Sequence, residues 1–222
     1  LIVLVSSLSL YICFTLYFWI GLKRLKPNQN IRKHYPPVSV IVAARNEEFL
    51  LPRLLSTLVK QDYPVDKLEI IIADDRSTDK TWECITNYSN RFPHFSGIKI
   101  TEQSKKMSPK KHALSRAIDL SSGEIIISTD ADCFVSKTWI SSMVSSFKKS
   151  TGIVVGYSAI DRSQKSFLCH YQALDFLALM SANAGSLGWE NAWSGSGQNL
   201  AFRRSAFDMI SGFTPVSSQV SG

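Results

Sequence analysis

The sequence predicts an α/β fold with a mostly parallel central sheet and helices on both of its faces, preceded by one transmembrane helix. Three observations carry this expectation. Short β-branched runs alternate with segments of helical periodicity across short joins, the pattern of parallel βαβ units. Polar residues gather directly after three of the expected strands, where open sheets of this kind bind ligands. The first 22 residues contain no charged side chain.

Leu1 to Leu22, dominated by Leu, Ile, Val, Phe and Tyr, span about 33 Å as a helix, enough to cross a bilayer. Tyr17, Phe18 and Trp19 fall near its end, at the level of an aromatic belt, and Lys23, Arg24 and Lys26 follow, the flank expected on the cytoplasmic side. The run is too long for a secretory signal peptide, and no small-residue cleavage site follows it. Residues 23–36 read as a basic juxtamembrane linker ending at Tyr35-Pro36-Pro37, and residues 37–222 as one globular domain on the cytoplasmic side. The chain begins with Leu1 and stops at Gly222 without a terminal signal, the look of a fragment.

Within that domain Val38 to Ala44 is a buried strand. Glu47 to Lys60 is a helix with Leu50, Leu51, Leu54, Leu55 and Leu58 as its packing stripe. Leu68 to Ala73 is the second strand, and Thr78 to Tyr88 the second helix, with Ser77 or Thr78 as N-cap. A weaker unit follows in Gly97–Ile100 and Pro109–Leu120, the latter with Ala113, Leu114, Ala117 and Ile118 on one face. The fourth strand, Glu124 to Ile127, runs into Asp130-Ala131-Asp132. Beyond it we expect a helix over Ser136–Lys149, a strand over Ile153–Tyr157, and a long apolar helix over Ser166–Ala184 whose ionisable side chains are His170 and Asp175. The default reading of that last helix is a packed one. Trp189 to Gly197 reads as a mobile loop, and Phe202 to Ile210 as a short helix stopped by Gly212.

The formal charge of +7 and pI near 9.3 do not point to nucleic acid. The basic residues cluster in Lys23–Lys33, where a membrane surface accounts for them, and in Lys105–Lys111. The first cluster lacks the interleaved aromatics of single-strand binders. Cys13, Cys84, Cys133 and Cys169 form no C-x-x-C and no ligand spacing with His34, His94, His112 or His170, which fits reduced thiols in the cytoplasm and excludes a zinc site.

Asp130 and Asp132 are the residues around which the chain is organised. If the strand continues through them, side chains two apart share a face. Carboxylates about 5 Å apart repel by roughly 3 kcal/mol at an effective dielectric of 20. A hard divalent cation that takes its other ligands from phosphates and water relieves this. The competing reading makes Asp130 a strand end and Asp132 a loop opener. Arg45-Asn46-Glu47 and Asp74-Asp75-Arg76-Ser77-Thr78-Asp79 converge on the same edge, although Asp74 or Asp75 with Ser77 also suits a helix start. No G-x-G-x-x-G and no P-loop is present, so a nucleotide here is held by carboxylates, a metal and a lysine.

Taken in order, Val38 to Glu48, the Asp74-Asp75-x-Ser-Thr-Asp run, Pro109-Lys110-Lys111-His112-Ala113-Leu114, Gly123-Glu124 leading to Asp130-Ala131-Asp132, and Gly197 to Arg204 resemble the motifs of family 2 glycosyltransferases. The resemblance covers Pro37 to the end. It implies a GT-A-type fold, a nucleoside-diphosphate sugar donor with a UDP-sugar favoured, a glycan or lipid-linked acceptor, and inversion at the anomeric carbon. It implies that Ala43, Arg45 and Glu47 line the nucleotide, that Asp75 with Asp74 beside it reads the base, that Lys110 meets the diphosphate, and that Asp130 and Asp132 hold Mg²⁺ or Mn²⁺. It also places Asp175, Trp193 and Gln198 on the acceptor side. Pro109 departs from the glycine common before that lysine. The family's general base lies in an acidic pair expected beyond Gly222, so the chain resembles a donor-binding fragment of an enzyme. The alternative is a non-catalytic, membrane-tethered nucleotide-sugar-binding module. A haloacid dehalogenase-type phosphotransferase is excluded by Phe134 and by the position of the acidic strand.

Overall fold

The computed structural model describes residues 1–25, 35–161 and 166–217. Lys26, most of the expected linker and the run from Ser218 to Gly222 lie outside these. The described residues form two compact units, one made of the N-terminal helix with Tyr157–Ser196, the other of the chain before Gly156 and after Gly197.

The second unit holds the sheet. Its parallel strands are β1 (Val38–Ala44), β2 (Leu68–Asp75), β3 (Phe95–Ile100) and β4 (Ile125–Asp130); β5 (Ile153–Val155) and β6 (Asn199–Arg203) complete it. The order is β3-β2-β1-β4-β6-β5. β1 is flanked in parallel by β2 and β4, with Val38 opposite both Leu68 and Ile125, while β6 runs antiparallel to β4 and β5. From β1 the chain builds outward to β2 and β3 and then returns to β4 on β1's other side. That reversal opens a crevice at the carboxyl ends of β1 and β4, the place where such sheets bind ligands.

β1, β2 and β4 are buried on both faces, which is why they read as continuous apolar runs. On one face Val40, Val42, Ile70, Ile72 and Ile127 pack with Leu51, Leu54, Leu55 and Leu58 of α2 (Leu51–Leu58), Ile85 of α3 (Thr81–Arg91) and Ile140 and Met143 of α5 (Trp139–Ser145). On the other, Ile41, Ile71, Ile126 and Phe202 pack with Ala113, Ala117 and Ile118 of α4 (Pro109–Leu120). Helices on both faces of a mostly parallel sheet, as expected, are what the α/β pattern requires.

The boundaries differ from expectation in instructive ways. α2 starts at Leu51, with Pro52 in its first turn, because Glu47 to Leu50 form a turn. α3 starts at Thr81 with Lys80, not Ser77 or Thr78, at the N-cap. The residues expected to begin a helix at Phe202 are instead in β6, and α7 (Arg204–Met209) follows. Tertiary pairing decides this segment: Leu200, Ala201 and Phe202 lie opposite Ser128, Ile127 and Ile126. Arg203 donates to the Thr151 and Lys148 carbonyls and to Glu124, and Arg204 to the Gly123 and Ser121 carbonyls.

In the first unit α1 (Ile2–Arg24) contacts α6 (Phe167–Leu187). α1 is 23 residues long, apolar and unburied. The packed environment expected for α6 is not found among the described residues: only Cys169, Gly185 and Ser186 of that helix are buried.

Candidate active site

β1 delivers Ala43, Ala44, Arg45 and Glu47 to the crevice, β2 delivers Asp75, the start of α4 delivers Pro109 and Lys110, and β4 with its turn delivers Asp130, Ala131 and Asp132. Together they line a cleft of ≈ 270 Å³. Of the residues expected around nucleotide and metal, Asp74 alone is absent from this lining. It is fully buried, and its Oδ1 accepts the Ser77 N–H at 3.2 Å while Oδ2 has no partner. Asp74 therefore satisfies the backbone of the loop after β2, not a helix start, because α3 begins only at Thr81.

Asp130 is the last residue of β4, and Asp132 lies in the turn after it, closed by the Cys133 N–H donating to the Asp130 carbonyl. The extended i, i+2 arrangement therefore stops at Asp130. The two carboxylates nevertheless act on one neighbour. Glu47 has its carboxyl pushed above the ordinary range by desolvation, then by Asp132, Asp79 and Asp130. A carboxyl that resists ionisation because acids crowd it marks a place that favours positive charge.

Part of that charge is supplied by Lys110, whose Nζ lies 2.7 Å from Asp130 Oδ1. Pro109 does not misdirect it: proline occupies the first turn of α4, where its missing N–H and fixed φ suit a helix start. The amino end of this 12-residue helix thus faces the cleft with its positive dipole end. Lys111 turns the other way. It is buried, and its ammonium donates to the Val216 carbonyl at 3.1 Å, so neither lysine is merely a solvated helix start.

Asp75 is buried at the cleft and receives Arg76 Nε and Nη2 at 2.8 and 3.2 Å, with Arg45 Nη1 at 4.0 Å. A carboxylate has about four acceptor positions, which leaves room for a ligand donor.

Sequence reasoning missed what holds this edge in shape. Asn46 and Arg76 both adopt left-handed backbone, at φ 56 and 57. Asn46 N–H donates to Ser77 Oγ, and Asn46 Oδ1 accepts from the Thr78 N–H and hydroxyl. Glu47 N–H donates to Thr81 Oγ1, Glu48 N–H to Asp79, and Lys80 N–H to Glu48. The Ser-Thr-Asp run after Asp75 is thus a clamp on the β1 loop that aims Arg45 and Glu47. The acidic and hydroxyl-rich spacing was visible; its partner loop was not.

Gln198 lies one residue before the Thr129–Asn199 pair of β4 and β6, next to Asp130 in register, and Ser128 Oγ fixes Gly197 through its carbonyl at 2.8 Å. Asp175 and Trp193 belong to the other compact unit, where Trp193 stacks on Tyr17 and meets Phe18 edge to face.

No group of three or more His, Cys, Asp or Glu residues among those described is placed to hold a metal ion. The donor set does fit a hard cation bound through two carboxylates, with its remaining ligands from phosphate and water.

A doubly wound sheet whose switch point gathers carboxylates, a lysine and a helix amino end defines a nucleotide-binding α/β domain of GT-A type. The chain belongs to glycosyl transferase family 2, whose model matches residues 39–211. It is 29% identical over 184 residues to the probable glycosyltransferase YdaM of Bacillus subtilis, covering 82% of this chain and 44% of that protein. It is 30% identical over 190 residues to the beta-monoglucosyldiacylglycerol synthase of Nostoc sp., covering 83% and 39%. Among solved structures, the mannosyltransferase PcManGT from Pyrobaculum calidifontis, in complex with GDP-Man and Mn²⁺, superposes with a TM-score of 0.71 at 25% identity, covering 94% of this chain and 57% of that one. The chain therefore spans roughly half the length of these relatives or less.

Proposed function

We propose that the cleft binds a nucleoside-diphosphate sugar and that the whole protein transfers the sugar, with inversion, to a glycan or lipid-linked acceptor. The observation that carries this reading is the convergence of Arg45, Glu47, Asp75, Lys110, Asp130 and Asp132 on one cleft at the switch point. Asp130 and Asp132 would hold Mg²⁺ or Mn²⁺, which supplies charge neutralisation to the diphosphate leaving group. Lys110 and the amino end of α4 add positive charge from the protein side. A cation there would also ease the burial and the acidic neighbours that raise the Glu47 carboxyl pKa. Asp75 accepts a ring N–H of the base, which suits uracil and equally guanine and disfavours neutral cytosine. Inversion needs a base within hydrogen-bond reach of the acceptor hydroxyl. The residues that line the cleft are assigned to donor and metal, and none of them to that role.

The apolar, unburied α1 and the Lys23 and Arg24 that end it support a membrane anchor with the domain on the cytoplasmic side. Calorimetric titration of UDP and GDP into the detergent-solubilised chain, with and without Mn²⁺, tests the donor reading. Metal-strengthened binding is expected, and equal affinity without metal would remove Asp130 and Asp132 from that role.

A further inference from the structure

The unit that contains α1 also contains a helix that the described residues leave uncovered. α6 is 21 residues long and carries Leu, Phe, Ala and Met around its whole circumference. Phe167, Leu168, Tyr171, Leu174, Leu177 and Leu179 are all exposed, Phe167 by 88% and Leu174 by 66%. Helices apolar all round belong inside a protein or in lipid, and soluble surfaces seldom leave so continuous an apolar stretch open.

What covers it is indicated by where α6 meets α1. Gly21 and Gly188 bring the two backbones into contact, since a Cβ on either would lie 1.9 Å from a carbonyl oxygen of the other helix, and Gly185 packs on Phe18. Around this crossing, Tyr17 stacks on Trp189 at 5.3 Å and Phe18 meets Trp193 at 5.0 Å. Trp189 Nε1 donates to the Tyr17 carbonyl, and the Arg24 guanidinium lies 4.2 Å from the Trp189 ring. Lys23 lies 5.7 Å from the Trp19 ring. Indole and phenol rings interleaved with basic groups at the end of an apolar helix are the composition of the headgroup level of a membrane. Two chain segments far apart in sequence contribute to that one belt. From it α1 extends as an apolar and unburied helix, and the uncovered surface of α6 lies farther along that helix, from Leu179 back to Phe167.

We infer that α6 is embedded in the boundary between lipid headgroups and acyl chains, so that this unit meets the membrane through two helices. The inference rests on reading α1 as a membrane span. His170, Gln172 and Asp175 are exposed on α6, and such groups keep a helix shallow, where they still reach water. A shallow α6 sets Leu174 and Leu179, on different sides of the helix, at the level where headgroups meet the upper acyl carbons.

The test uses the whole chain in phosphatidylcholine–phosphatidylglycerol vesicles, with an environment-sensitive fluorescent amino acid introduced singly at Leu174, Leu179, Leu8 of α1 or the exposed Leu120 of the sheet unit. Circular dichroism of each variant confirms the fold. Emission at Leu174 and Leu179 is expected to shift to the blue and to be quenched several-fold more by lipids spin-labelled near the headgroup than emission at Leu120. Quenching at Leu8 with none at Leu174 or Leu179 overturns the inference and leaves α1 a span. No quenching at Leu8 by lipids spin-labelled deep in the acyl chains, the depth of a mid-span residue, overturns the span reading and the inference with it. A blue shift at Leu174 without quenching by spin-labelled lipid shows that protein, from a second copy or another segment, covers the helix, which also overturns it.

Discussion

At the amino ends of the parallel strands, Glu69 of β2 is enclosed by donors: the Ser39 hydroxyl, the Ser122 N–H and hydroxyl, and the Gly123 N–H. At the carboxyl ends, Glu47 is surrounded by Asp132, Asp79 and Asp130. Burial raises the carboxyl pKa at both places, but at Glu69 the hydrogen bonds outweigh it and the pKa falls, whereas at Glu47 the neighbouring acids add to it. The first end is a satisfied knot that ties β1, β2 and the approach to β4 together. Gly123 is required there because a Cβ would lie 2.3 Å from Ser39 Oγ. The second end lacks such satisfaction, and the proposed ligand would supply it. One sheet thus separates its stability from its chemistry by some 20 Å of strand, roughly six residues at 3.3 Å each.

The largest expected effect breaks the ligand end. On the proposed function, Asp132→Ala should abolish the metal dependence of donor binding and lower sugar transfer by the whole protein roughly 100-fold, about 2.7 kcal/mol. The melting temperature of the free protein should hold or rise, because a charge that crowds Glu47 is gone. A variant that binds UDP with an undiminished metal effect would show that the acids merely close the turn.

The next effect breaks the knot. Glu69→Gln weakens several charge-assisted hydrogen bonds, so stability should fall by about 2 kcal/mol, a drop of roughly 4–8 °C in Tm, with donor affinity unchanged. The pH dependence carries a definite sign. Glu69 has a folded pKa below its unfolded value, so its contribution is complete above the ordinary glutamate range and fades as pH falls through the lower folded value. Glu47 is the reverse: its cost is fully present above its raised folded pKa and disappears as acidification protonates it. Denaturant titrations across the acid range should therefore show a shallower acid loss in Glu69→Gln than in the wild type. An unchanged profile would remove Glu69 from the account.

The site end was more legible in the sequence than the knot. Polar residues after apolar strands declare themselves by spacing, so Arg45, Glu47, Asp75, Asp130 and Asp132 stood out before any geometry, and the family resemblance added Lys110. Glu69 reads as one polar position in a strand, because its partners at 39, 122 and 123 arrive only when three strands align. The same limit hid β6, whose register is set by β4, and the clamp between Asn46 and Thr78. α6 misled for a different reason: its composition is that of a packed helix, and composition does not say whether protein or lipid does the packing.

A third test sharpens the ligand end. Asp75 is held by Arg76 and approached by Arg45, yet it borders the cleft. If it accepts a ring N–H of the base, uridine diphosphate should bind about tenfold more tightly than cytidine diphosphate, and Asp75→Ala should erase that ratio. Competition titration reads it directly, and equal binding of the two pyrimidines to the wild type would make Asp75 a structural partner of Arg76.

The smallest effect asks whether the clamp belongs to the knot's kind of order or to the site's. Asn46 combines a left-handed φ of 56 with a side chain that accepts two hydrogen bonds from Thr78. Asn46→Gly keeps the backbone freedom and loses the bonds, which should cost about 1 kcal/mol at most because the site is exposed. Asn46→Ala loses the bonds and also bears the left-handed penalty of a Cβ, roughly 1 kcal/mol more. If the clamp serves the ligand, both variants should lose donor affinity a few-fold, Ala more than Gly, since Arg45 and Glu47 flank the residue and depend on its geometry. If it serves only the fold, Tm will fall in that order while UDP affinity, measured well below Tm, stays at the wild-type value. Affinity loss in Asn46→Gly without loss of Tm is the outcome that ties the left-handed turn to the cleft, because glycine removes the hydrogen bonds while introducing no strain.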